Sequence, residues 1–136
     1  MVESFIDKHI HITYYTLDSK DEILKIKSEY LETQYLGFKF LSYFRFSLIE
    51  SDYLISTTPN IGTPGYPLKK PKLVKNLVHV FHSISDISIY RKGSLDFYDS
   101  VVLVGKFQKE SIRSLEIKRG LKEKDLLPLG VPYLDF

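Results

Sequence analysis

The stretch "SVVLVG", Ser100 to Gly105, constrains the fold most. Val101 to Val104 are apolar at every position. A strand with one wet face alternates apolar and polar residues, so an unbroken run predicts a strand covered on both faces, as in a parallel sheet. "KESIRSLEIKR" follows, with a helical pattern that Gly120 closes at the C′ position.

The same alternation of strand and helix runs through most of the chain. "KHIHITYY", Lys8 to Tyr15, is β-branched and aromatic, with Ile10, Ile12 and Tyr14 on one face, and predicts a strand. Ser19 and Glu22 form a capping-box pattern ahead of "EILKIKSEYLETQYL", where Ile23, Ile26, Tyr30 and Leu31 make a helical stripe ended by Gly37. "FKFLSYFRFSLIES" predicts a second helix, with Leu41, Phe44 and Leu48 in register. Tyr53–Thr57 and Leu73–His82 read as strands. Between them, "PNIGTPGYPLKKPK" carries four prolines and two glycines and is a loop, of a length that is often functional or mobile. "SISDISIYRKGSLDFYD" is irregular or weakly helical, and "DLLPLGVPYLDF" gives a short strand and a proline turn. The expected fold is α/β, a three-layer Rossmann-like arrangement with a mainly parallel sheet, in a single domain over residues 1–136.

The totals are compatible with that. A chain of 136 residues can bury a core without staples, and it has no cysteine for disulfides or thiolate metal sites. Nineteen basic and seventeen acidic residues nearly balance, which gives no case for nucleic acid as a partner. Aromatic residues make up 14%, which argues against disorder. No apolar run approaches the roughly 20 residues of a spanning helix, and "MVESFIDKHI" has no secretory pattern.

In parallel α/β sheets, sites lie beyond the carboxyl ends of the strands. That rule selects Thr57–Pro59, His82–Ser85 and Gly105, with Thr58, Ser83 and Ser85 as polar groups for a substrate. His82 is the candidate base, because imidazole titrates near neutral pH. A histidine merely hydrogen-bonded at the sheet rim is the competing reading, and placement alone favours it. His79 stands three residues earlier, so the two face opposite sides of a strand and do not share a metal; His79 reads as structural. His9 and His11 lack a third ligand nearby, so no metal site is expected. Arg91 and Lys92 offer cations to a phosphate, although Arg91 could equally pair with Asp96 or Asp99. Lys69, Lys70, Lys72 and Lys75 could meet a phosphate or an anionic membrane surface, or simply keep an edge soluble. Gly105 opens a helix whose free N–H groups suit an anion, a weak signal alone. Walker, Rossmann-fingerprint, nucleophile-elbow and zincin motifs are absent.

A longer pattern is carried by "DYLISTTPN" (52–60), "LVHVFHSISDISIYRKGSLDFYDSVVLVGKFQKESIR" (77–113) and "LLPLGVPYLD" (126–135). In this order and spacing they resemble the CDP-glycerol glycerophosphotransferase family, the relatives of teichoic acid polymerases. There, "TTP" follows one strand and "FHS" or "WHG" ends the next; a basic residue, a "FDxYD"-like element, a "VG" strand end, a helix and a glycine–proline–aspartate closure come after. Three departures stand out. Phe81–His82–Ser83 replaces Trp-His-Gly of the well-known polymerases, Tyr133 stands where many relatives have arginine, and Phe136 falls where the second domain would begin.

The resemblance implies a GT-B enzyme of two facing Rossmann-like domains, with this chain equivalent to the N-terminal, acceptor-side half. It implies a base for the acceptor hydroxyl at His82, and attack on a CDP-activated alcohol with release of CMP. No cofactor is implied beyond that CDP-activated substrate. The implied partners are the missing C-terminal domain or a partner chain, and a polyol-phosphate or glycan acceptor. The implied place is the cytoplasm, peripheral on the inner face of the membrane, in the synthesis of a cell-surface polymer. The chain alone is then expected to be inactive. A non-catalytic binding or assembly module, or a subunit of a GT-B glycosyltransferase, is the alternative. A small hydrolase using His82 with Ser83 or Ser85 ranks last.

Overall fold

The computed structural model describes residues 1–84 and 87–130. It is an α/β fold in which every strand pair within its two sheets is parallel. The chain divides into two compact units, Met1–Phe46 and Ser47–Phe136.

The first unit opens with helix α1 (Val2–Asp7) and pairs β1 (Ile12–Thr16) with β2 (Leu31–Tyr35), from Ile12 opposite Leu31 to Thr16 opposite Tyr35. Between them lies a 3₁₀ turn, Glu22–Lys25. Here the structure corrects the helix expected over 22–36. Asp21, not Ser19, caps the turn: its Oδ1 accepts from the Ile23 N–H at 3.0 Å and its Oδ2 from the Tyr14 hydroxyl at 2.9 Å. Ile26 is extended, and the Ser28 hydroxyl oxygen accepts from the Tyr30 N–H at 3.2 Å. The chain therefore turns instead of winding on. Leu31, Thr33 and Tyr35 then join β1 as strand residues, and pairing overrides the helical stripe. Helix α2 (Phe40–Ser47) follows a turn at Gly37, whose φ is +96°.

The second unit holds a four-stranded sheet in the order β3 (Glu50–Ser56), β4 (Leu73–Val80), β5 (Ser100–Val102), β6 (Asp125–Leu127). β3 starts earlier than the expected strand and takes Glu50 and Ser51 from the segment read as helix. Helix α3 (Phe107–Arg119) connects β5 to β6 and ends at Gly120, in the left-handed region at φ +61°. Strand neighbours are also sequence neighbours.

Register fixes the two faces. Leu77 and His79 of β4 share one face with Val101, and all three are fully buried. Val78, Val80 and Val102 form an apolar cluster on the other face, where the Ser100 hydroxyl donates to Asn76 Oδ1 at 2.9 Å. The strand expected to be buried on both faces over Val101–Val104 is found shorter: β5 ends at Val102, Leu103 is buried just beyond it and Val104 is partly exposed.

Candidate functional site

Because β3, β4 and β5 are parallel neighbours, their carboxyl ends lie along one edge of the sheet. Beyond those ends come Thr58, then His82 and Ser83, then Gly105. β4 stops at Val80; Phe81 is fully buried and His82 is exposed. The last apolar residue anchors the strand end and leaves the next imidazole in solvent. Ser83 is also exposed, and Ser85 lies outside the described residues.

A buried aromatic layer holds this rim. His79 is packed edge-on against Phe81, Tyr90 and Tyr98, with ring centroids 4.8, 5.6 and 5.0 Å away. Its Nε2 lies 3.1 Å from the Tyr90 phenol oxygen. Burial, with the neighbouring His82 adding to it, pushes the His79 pKa down from 6.5 to about 4, so the ring is neutral at pH 7. His79 is thus part of the core, while its neighbour three residues on faces water. Burial raises the Tyr98 hydroxyl well above its usual value, and that hydroxyl donates to the Thr58 carbonyl. The Thr58 N–H donates to Ser56 Oγ at 3.1 Å. Thr58 is therefore held at both its backbone groups.

The proline-rich loop after β3 is fastened to the segment after β4. The Asn60 N–H donates to the Ser94 carbonyl at 2.9 Å, the Ser94 hydroxyl donates to Asn60 Oδ1 at 2.7 Å, and the Thr63 hydroxyl donates to the Gly93 carbonyl at 3.0 Å. Arg91 and Lys92 are exposed on that second segment. The Arg91 carbonyl accepts from the Ser94 hydroxyl at 2.6 Å, but among the described residues no hydrogen bond or ion pair joins Arg91 or Lys92 to His82 or Thr58. The acids that could have claimed Arg91 are engaged elsewhere: Asp96 pairs with Arg119 at 2.6 Å and Asp99 with Lys70. In the lysine-rich loop, Lys70 is thus committed to Asp99 and Lys75 to Asp52 at 2.6 Å, while Lys69 donates to the Thr63 carbonyl at 3.4 Å.

Gly105 sits at the start of α3, where an added Cβ would come within 2.6 Å of the Phe107 ring. The side chain of Gln108, fully buried, accepts from the Val104 N–H at 2.9 Å and ties the strand end to the first helical turn. Sequence reasoning missed Gln108, Asn60, Ser94 and Tyr98 as supports of the rim. A polar residue in an apolar helix position was the available signal for Gln108; the other three are joined only by the fold.

Among the described residues no group of three or more His, Cys, Asp or Glu is placed to hold a metal ion, and no helix is long and apolar enough to cross a membrane. The rim thus offers one exposed imidazole, nearby hydroxyls and two solvent-facing cations on an adjoining segment. That set can accept a proton from a hydroxyl and meet an anion. Comparison with protein-family models, with curated proteins and with solved structures finds no match to the chain.

Proposed function

We propose that this chain is the acceptor-side part of a CDP-glycerol glycerophosphotransferase-like enzyme of cell-surface polymer synthesis, working in the cytoplasm at the inner face of the membrane. The observation that supports this reading is the exposed imidazole of His82, one residue past a buried Phe81 at the carboxyl end of β4, between the ends of β3 and β5. In this proposal His82 takes the proton of an acceptor hydroxyl as its oxygen attacks the phosphorus of a CDP-activated alcohol. The new P–O bond forms as the bond to the CMP leaving group breaks. Arg91 and Lys92 would offset charge on the acceptor's phosphate, and Thr58, Ser83, Ser85 and Gly105 would line its path. The chemistry asks the protein mainly for positioning and charge stabilisation. The nucleotide would be held by a second domain or a partner chain.

The test is transfer from labelled CDP-glycerol to a polyol-phosphate primer, using the complete encoded protein and its His82→Ala variant. Removal of a general base should lower transfer by about 10²–10⁴-fold. An undiminished rate would remove His82 from the chemistry, and absence of transfer by the unaltered protein would favour the binding-module alternative.

A further inference from the structure

Helix α2 is oriented the wrong way round for a helix of a water-soluble surface. At about 100° per residue, Ser42 and Phe46 lie on one stripe, and they are 2% and 7% exposed. The opposite side is centred on Phe44 and flanked by Phe40 and Leu41, with Tyr43 beside them. Phe40 is 79% exposed, Phe44 53% and Leu41 47%, and Phe38 just before the helix is 71% exposed. A soluble helix turns its polar face outward. This one turns outward four aromatic rings, counting Phe38, within seven residues of sequence.

The charges that flank this face along the chain are of one sign. From Thr33 to Ile49 the chain has no acidic residue, and its two charged residues are Lys39 and Arg45. Both are exposed at the margin of the apolar face, and the Lys39 ammonium lies 5.1 Å from the Phe38 ring centroid. Aromatic rings flanked by cations with no acid are suited to a surface that is apolar below and anionic above. That is the boundary between lipid headgroups and acyl chains, where rings insert shallowly and Lys and Arg reach the phosphates.

We propose that α2, with Phe38 and Lys39, is an interfacial anchor that inserts Phe38, Phe40 and Phe44 into an anionic lipid surface. This deepens the peripheral location in the preceding proposal and rests on it, but not on the transferase chemistry. It also assigns the contact to α2 and not to the lysine-rich loop, where Lys70 and Lys75 are already paired.

The experiment is sedimentation of the whole chain with vesicles of phosphatidylcholine, with and without phosphatidylglycerol. The chain should sediment with the anionic vesicles and much less with the neutral ones. Phe40→Ser combined with Phe44→Ser should lower binding by about tenfold or more. Lys39→Gln combined with Arg45→Gln should lower it by about tenfold and remove most of its salt dependence. Both pairs are exposed, so melting curves should be unchanged; a Phe40→Trp variant gives a second reading, a blue shift of its emission with anionic vesicles only. Three results would overturn the proposal. They are no sedimentation with either vesicle, binding that survives the double Phe substitution but is lost with Lys69→Gln and Lys72→Gln, or self-association through α2 without lipid binding. The transfer assay reads the chemistry separately, so each proposal can fail without the other.

Discussion

The Nε2 of His79 lies 3.1 Å from the phenol oxygen of Tyr90, and its Nδ1 is buried without a hydrogen-bond partner of normal geometry among the described residues. A ring so placed tolerates the neutral form and resists the proton. Burial is the larger cause of its low pKa, and the charge of His82 adds to it; the Ser56 backbone pulls weakly the other way.

Stability should therefore depend on pH in a definite direction. The folded pKa, about 4, is below the ordinary value of 6.5. The unfolded chain binds the proton first, so His79's contribution is fully present above pH 6.5 and is lost as pH falls towards 4. The shift corresponds to a loss of about 3 kcal/mol. Urea unfolding between pH 7.5 and 4.5 should show it, and His79→Gln should flatten the slope over that window. An equal slope in the variant would assign the pH dependence to other groups.

Gly62 carries a second prediction. Its φ is +87°, and a Cβ there would lie 2.6 Å from the Phe97 Cγ and 2.7 Å from its Cβ. Gly62→Ala meets both a disfavoured backbone region and a collision, at a cost of at least about 1–3 kcal/mol. The loop after β3 should loosen with it. Amide exchange at Asn60 and Thr63, slow in the parent because Asn60 donates to Ser94 and Thr63 to the Asn60 carbonyl, should speed up in the variant.

How much of this the sequence carried depends on range. The apolar run at Val101, the helix closed by Gly120 and the split between His79 and His82 are local signals, and the structure has each where it was expected. The segment 22–36 failed because its outcome is set by pairing of Leu31–Tyr35 with Ile12–Thr16, which a helical stripe does not reveal. The supports of the rim are longer-range still. Tyr98 reaches Thr58 across 40 residues and Ser94 reaches Asn60 across 34, so no local pattern could have joined them. The candidate rim was legible as an ordered set of strand ends, but not as the aromatic layer that fixes them.

Glu116 tests a buried ionic network at the amino ends of the strands. Its Oε1 accepts from the Lys124 N–H at 2.9 Å and its Oε2 from Arg113 at 2.7 Å; the Lys124 ammonium donates to the Tyr98 carbonyl at 2.9 Å. Burial lowers the Lys124 pKa, and Glu116 is the largest influence opposing it. Glu116→Ala leaves the buried Lys124 N–H without its acceptor and Arg113 with Glu123 alone, and should cost about 1–3 kcal/mol in urea unfolding. Glu116→Gln keeps the acceptor for the Lys124 N–H and should cost distinctly less.

The two histidines three residues apart give the sharpest contrast. His79 is fully buried among Phe81, Tyr90 and Tyr98, so His79→Ala opens a cavity and should cost about 2–5 kcal/mol. His82 is exposed, and His82→Ala should change stability by no more than about 0.5 kcal/mol. If His82 is the base, its variant keeps the parent melting curve and loses transfer. The His79 variant should instead melt early and recover much of its activity at low temperature, where it is folded. A destabilised His82→Ala protein would mean that this imidazole supports the rim, and its loss of transfer would then say nothing about proton removal. Comparing both variants in the same melting and transfer assays separates a residue that acts at the rim from one that holds it up.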